Sequence, residues 1–237
     1  MINFPKAVIF DLDNTLYHYD PCNKFAIKKV SKYIKKKYNI SEDNFVKAFN
    51  KSKKIVKHDL KNTASSHSRI LYFQKLSEIL FKKTKVKLSL DLEEIYWSNF
   101  LNKAKLFKGV VDFLKLLKCK NIKIGNLTDL TTQIQFKKLV YFNIDKYFDF
   151  VVTSEEVGKE KPNKLTFKLI IKKLNISPKD IWMIGDNPDT DLEGASKFEL
   201  TKIQKIHSGV KLINSRKKTP DFTFKNYSQL ISIIKKI

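Results

Sequence analysis

The stretch that most constrains this chain is Ala7-Val8-Ile9-Phe10, followed by Asp11-Leu12-Asp13-Asn14-Thr15-Leu16. The apolar run is short and partly β-branched, which suits a buried strand. Asp11 and Asp13 then point to the same side of an extended chain, where a core tolerates neither carboxylate unpaired. The strand must therefore stop there and offer both acids to a crevice. What else reaches that edge depends on the remaining segments.

From Gly109 onward, helical and strand patterns alternate. Helices are expected over Val110–Leu117, Thr131–Tyr141, Leu165–Leu174 and Tyr227–Ile234. Strands are expected over Ile122–Leu127, Phe148–Thr153, Ile181–Ile184 and Ile203–Ile206. Such alternation predicts a parallel sheet with helices on both faces, which binds ligands beyond the carboxyl ends of its strands. Thr128 and Asp129 follow the second strand. Lys161, set before Pro162, follows the third, and Gly185-Asp186 with Asp191 follows the fourth. Between the first strand and this alternation, the spacing predicts four amphipathic helices beginning at Asp20-Pro21, at Ser41, at Ser66 or Ser68, and at Asp91.

This ordered set of acids, hydroxyl and lysine resembles the four motifs of the haloacid dehalogenase-like hydrolases. The inserted helices are similar to the C1-type cap of that superfamily's subfamily I. The resemblance implies an α/β, Rossmann-like core over residues 1–16 and 106–237 and a helical cap over 17–105. It also implies a phosphatase that attacks with Asp11, uses Asp13 as general acid and base, and passes through an aspartyl-phosphate. Thr128, Asp129 and Lys161 are then the phosphate-binding residues. Mg²⁺ is held by the side chains of Asp11 and Asp186 and the main-chain carbonyl of Asp13, with Asp191 supporting the ligands. Charge alone points the same way: two carboxylates about 4 Å apart repel by roughly 4 kcal/mol at an effective dielectric near 20, which a hard cation relieves. The pattern is similar to 5′-nucleotidases and to sugar-phosphate phosphatases, so the expected partner is a small phosphorylated metabolite. Two departures stand out: Asn126 inside a strand, and Asp129-Leu130 where the second motif commonly reads Asn-Gly. A phosphomutase and a haloacid dehalogenase are the alternatives within the superfamily. The dehalogenase works without Mg²⁺ and lacks the acid/base aspartate, so Asp13 and Asp186 argue against it.

The net charge of +23 raises a third reading, a nucleic-acid-binding protein with a vestigial site. Among 47 basic residues only Arg69 and Arg216 are arginine, and the lysines spread over every segment, as in Lys137-Lys138. That distribution reads as lysine serving as the default surface residue, and no arginine-rich stripe is present. Arg69, with His67 beside it, breaks the usage and is the expected specificity contact of the cap, because a guanidinium forks onto anions as an ammonium cannot. The alternative for Arg69 is a surface residue paired with Glu78 or Asp59. Cys22 and Cys119 give no disulfide framework, the first strand begins almost at Met1, and no apolar run spans a membrane. A cytoplasmic monomer or homodimer is the expectation.

Overall fold

The computed structural model describes residues 4–210, 213, 215 and 217–236, so Arg216 lies outside the described residues. The chain divides into two compact units, one of residues 1–18 with 105–237 and one of Tyr19–Ala104.

Strand β1 (Ala7–Phe10) is buried throughout. The chain then enters the helical unit through α1 (Tyr19–Tyr38), α2 (Glu42–Asp59), α3 (Arg69–Phe81) and α4 (Val86–Lys103). Ser41 caps α2 by accepting from the Asn44 N–H, and Ser68 caps α3 by accepting from Leu71. Ser66 lies instead in the short 3₁₀ turn Ala64–His67 that precedes α3. Helix α4 begins five residues before Asp91, at Val86. Its start is satisfied from another helix, because Ser77 Oγ of α3 accepts from the Lys85 N–H, a signal that no local capping pattern carries. Phe45, Phe49, Phe73, Leu76, Leu92, Tyr96 and Phe100 fill the interior of this unit.

The other unit resumes with α5 (Val110–Cys119), β2 (Lys123–Thr128), α6 (Thr132–Tyr141), β3 (Phe150–Thr153), α7 (Ser154–Val157), α8 (Lys164–Leu174), β4 (Ile181–Gly185), α9 (Glu193–Ser196), β5 (Thr201–Lys205), β6 (Phe222–Phe224) and α10 (Tyr227–Lys235). All six strands are parallel, in the order β3-β2-β1-β4-β5-β6. The edge strand β6 is a correction to the sequence reading: three residues are too few to show a strand period. The order reverses at β1, between β2 and β4, so the end of β1 opens at the crevice where such sheets bind ligands. Asp11 stands there, its N–H still bonded to Ile184 O at 2.9 Å.

Candidate active site

Asp11 is held from both sides. Lys161 Nζ donates to Oδ1 at 2.7 Å, and Thr15 Oγ1 donates to Oδ2 at 2.8 Å. Tyr227 of α10 fixes the Thr15 turn by donating to its carbonyl at 2.9 Å. Burial pushes the Asp11 carboxyl up to about 6, against the pull of Lys161 and with the help of Asp191 and Asp13.

Lys161 places its three ammonium donors on three acceptors: Asp11 Oδ1 at 2.7 Å, Asp191 Oδ1 at 2.7 Å and Leu127 O at 3.1 Å. Burial opposes its charge, but these carboxylates outweigh it and hold the ammonium firmly protonated. The other Asp191 oxygen accepts from the Asn187 N–H at 3.1 Å, so both of its oxygens are already engaged. A glycine is required beside it, because a Cβ on Gly185 would lie 2.3 Å from Asp191 Oδ2.

Asp186 sits one residue beyond β4 and meets His207 Nε2 at 3.3 Å. Burial raises its carboxyl, His207 pulls it down, and Asp11 raises it again. Carboxylate oxygens of Asp11, Asp186 and Asp191 all lie within 4.8 Å of one another. The donor set fits a hard divalent cation: it is all oxygen, and one lysine and one histidine face three crowded acids.

The Asp13 carboxylate has its own pair of donors. Lys138 Nζ reaches its two oxygens at 2.7 and 2.8 Å, and Tyr17 Oη donates to Oδ1 at 2.5 Å. Lys138 corrects the sequence reading of Lys137-Lys138 as surface charge: Lys137 is exposed, whereas Lys138 is fully buried.

Thr128 ends β2, and its hydroxyl accepts from Gln135 Nε2 at 2.5 Å. The same amide nitrogen donates to Asp129 O at 2.6 Å. The Asp129 side chain is engaged by the backbone of another segment. Its Oδ1 accepts from the Lys161 N–H at 3.0 Å, which ties the loop carrying Lys161 to the end of β2. Burial lifts this carboxyl to about 6, partly offset by Lys161. Leu130 adopts φ +92°, a left-handed conformation that glycine reaches without strain, at the position where the resembled motif commonly has glycine. Asn126 donates to Phe10 O at 2.9 Å, bracing the strand that delivers Asp11.

Arg69 and His67 lie in the helical unit. Arg69 is buried, which excludes the surface-residue alternative; Glu78 is bound to Lys75, and Asp59 to His58. Its guanidinium donates to His67 O at 2.5 Å and to Tyr19 Oη. It also lies 5.2–5.5 Å from the ring centroids of Tyr96, Tyr72 and Trp97.

Thr15, Tyr17, Gln135, Lys138 and His207 were not among the residues expected at this edge. Thr15 alone left a trace, as the last letter of the Asp-x-Asp-x-Thr run. Among the described residues no helix is long and apolar enough to cross a membrane.

Residues 5–198 match the family model described as haloacid dehalogenase-like hydrolase. A ribulose-1,5-bisphosphate 5-phosphatase of Halopiger xanaduensis is 34% identical over 83% of each chain. A glyceraldehyde 3-phosphate phosphatase of Methanocaldococcus jannaschii is 26% identical over 98% of each chain. The crystal structure of a HAD phosphatase from Thermococcus onnurineus superposes with a TM-score of 0.77 at 23% identity, covering 96% of this chain and 97% of the other. With the sheet order, the acid cluster and the match over residues 5–198 in agreement, the chain belongs to the haloacid dehalogenase-like hydrolases.

Proposed function

We propose that the chain is a Mg²⁺-dependent phosphatase that hydrolyses a small phosphorylated metabolite through an aspartyl-phosphate on Asp11. One observation carries the reading: Asp11, Asp186 and Asp191 converge within 4.8 Å around a lysine that bonds two of them. Asp11 and Asp186 by side chain, and Asp13 by its carbonyl, are the residues to hold the metal, with Asp191 supporting them. When bound, Mg²⁺ screens the phosphoryl oxygens from the acids and orients them.

The residues of the chain divide the remaining work. Asp11 attacks phosphorus in line, and the ester oxygen leaves with a proton from Asp13. Asp13 then takes a proton from the water that attacks the acyl phosphate, which restores Asp11 and releases phosphate. Lys161, Thr128 and main-chain N–H groups beside Thr128 hold the phosphoryl oxygens through the transfer. Thr15 supports Asp11 by fixing the oxygen opposite Lys161. The named activities of the two curated relatives support a sugar-phosphate-type ester as substrate. The helical unit serves as a cap in which Arg69 and His67 select that substrate, and the enzyme works in the cytoplasm. A dehalogenase has no use for an acid/base at Asp13, which argues against that alternative.

Asp11→Asn tests the reading. The amide keeps the shape but cannot attack phosphorus, so turnover should fall by about three orders of magnitude or more while circular dichroism stays unchanged. Retention of more than about a hundredth of the wild-type rate contradicts the assignment.

A further inference from the structure

Helix α6 presents Gln135 and Lys138 three residues apart, on one face of the helix. Gln135 holds Thr128 and the Asp129 carbonyl. Lys138 holds both oxygens of Asp13 at 2.7 and 2.8 Å. One helical face thus grips the end of β2 and the carboxylate that follows β1.

Stability alone does not account for Lys138. The residue is entirely buried while the Asp13 side chain stays 22% exposed, and desolvating an ammonium is costly, which an ion pair offsets only where its geometry is good. Apolar side chains of similar volume in place of a buried pair are often neutral or stabilising. Asp13 also has a second donor in Tyr17, whose ring lies 5.8 Å from the same ammonium and packs against Phe142, 5.0 Å between centroids. A cation set against both oxygens, with a phenol on one of them, fixes both the position and the rotation of the carboxylate plane.

We propose that Lys138 is a positioning residue that orients the Asp13 carboxyl for proton transfer to and from the reacting oxygen. This rests on the reading of Asp13 as the general acid and base. Lys138 touches Asp13, acts through it, and has no role of its own at phosphorus. Tyr17 holds the same carboxyl through Oδ1. The substrate class to which Lys138 matters is therefore defined by its leaving group. An ester of an alkyl alcohol needs its oxygen protonated as the bond breaks, whereas an aryl phosphate with an acidic phenol does not.

The test measures kcat/KM, which reports steps through departure of the leaving group, on an alkyl phosphate and on p-nitrophenyl phosphate with saturating Mg²⁺. Lys138→Met should lower the alkyl value by about thirtyfold or more, with at least tenfold less effect on the aryl ester. Asp13→Asn serves as the reference and should show the same selectivity more strongly. The double variant Asp13→Asn/Lys138→Met should match Asp13→Asn alone, because a residue acting only through Asp13 has nothing left to position. If Asp13→Asn is selective but Lys138→Met lowers both esters equally or neither, Lys138 is structural and the inference falls while the acid/base reading stands. A double variant several-fold worse than Asp13→Asn also overturns it. If Asp13→Asn itself shows no selectivity, the acid/base reading fails and takes the inference with it. Should Lys138→Met not fold, Lys138→Gln keeps one donor to Asp13 and should give the same selectivity at reduced size, with equal losses on both esters again counting against the proposal.

Discussion

Lys161 and Arg69 are both buried cations, one in each unit, and they are accommodated in opposite ways. Lys161 sits against two carboxylates and a carbonyl, so its charge is absorbed by the acids it organises. Arg69 has hydroxyl, carbonyl and aromatic partners, and no carboxylate within ion-pair distance among the described residues. A cation neutralised by fixed acids fixes the positions of those acids. One held by π-faces and neutral acceptors keeps its full positive charge.

The comparison breaks most readily at Lys161. Lys161→Met leaves Asp11 and Asp191 facing each other without a counter-ion, and breaking a buried pair in this way costs about 3 kcal/mol or more. We expect a fall in Tm in metal-free buffer, partial recovery on adding Mg²⁺, and at least about a hundredfold loss of kcat. A Tm unchanged in chelator means that the pair carries no such weight.

Arg69→Lys keeps the charge and removes the planar fork. If Arg69 reads the substrate, kcat/KM for the preferred ester should drop about tenfold, or about 1.4 kcal/mol of transition-state binding, while an aryl phosphate changes little. Equal effects on both, or none, leave Arg69 as a packing residue of the helical unit.

The smallest effect concerns pH. Asp11 and Asp129 have carboxyls raised from 3.8 to about 6, so the folded state holds their protons more tightly than the unfolded state does. Below pH 4 neither group affects stability, since both states are protonated. As pH rises from about 4 to about 6 the unfolded chain ionises first, and the metal-free protein loses stability across that window. Mg²⁺ at neutral pH should return part of it. A metal-free Tm that climbs between pH 4 and 6 after Asp11→Asn, relative to wild type, fits this sign; an unchanged slope does not.

What was legible in the sequence follows the same division. Asp11, Asp186 and Lys161 could be brought to one edge on paper because a parallel sheet sends the ends of β1, β3 and β4 to the same side. Carboxylates directly after apolar runs have nowhere else to go. Lys138 could not be read, because in a lysine-rich chain only burial separates it from Lys137, and burial is a tertiary property. Gln135 and His207 were hidden likewise, reaching the site from a helix face and from beyond β5 with no local pattern to mark them. Asp129 was marked as anomalous, but its bond to the Lys161 N–H joins residues 32 apart and needed the fold to show it. Arg69 was conspicuous by composition, yet its aromatic surroundings come from α1, α3 and α4 together.

The central claim, that Asp11 carries the phosphoryl group, is tested most directly by trapping it. Asp13→Asn supplied with p-nitrophenyl phosphate and Mg²⁺ should transfer the phosphoryl group readily and hydrolyse the acyl phosphate slowly, so acid quenching should catch the adduct. Mass spectrometry of the digested protein should then find phosphate on Asp11, and borohydride should reduce that position alone. Phosphate on any other residue, or nitrophenol release with no phosphorylated peptide under single-turnover conditions, contradicts the account.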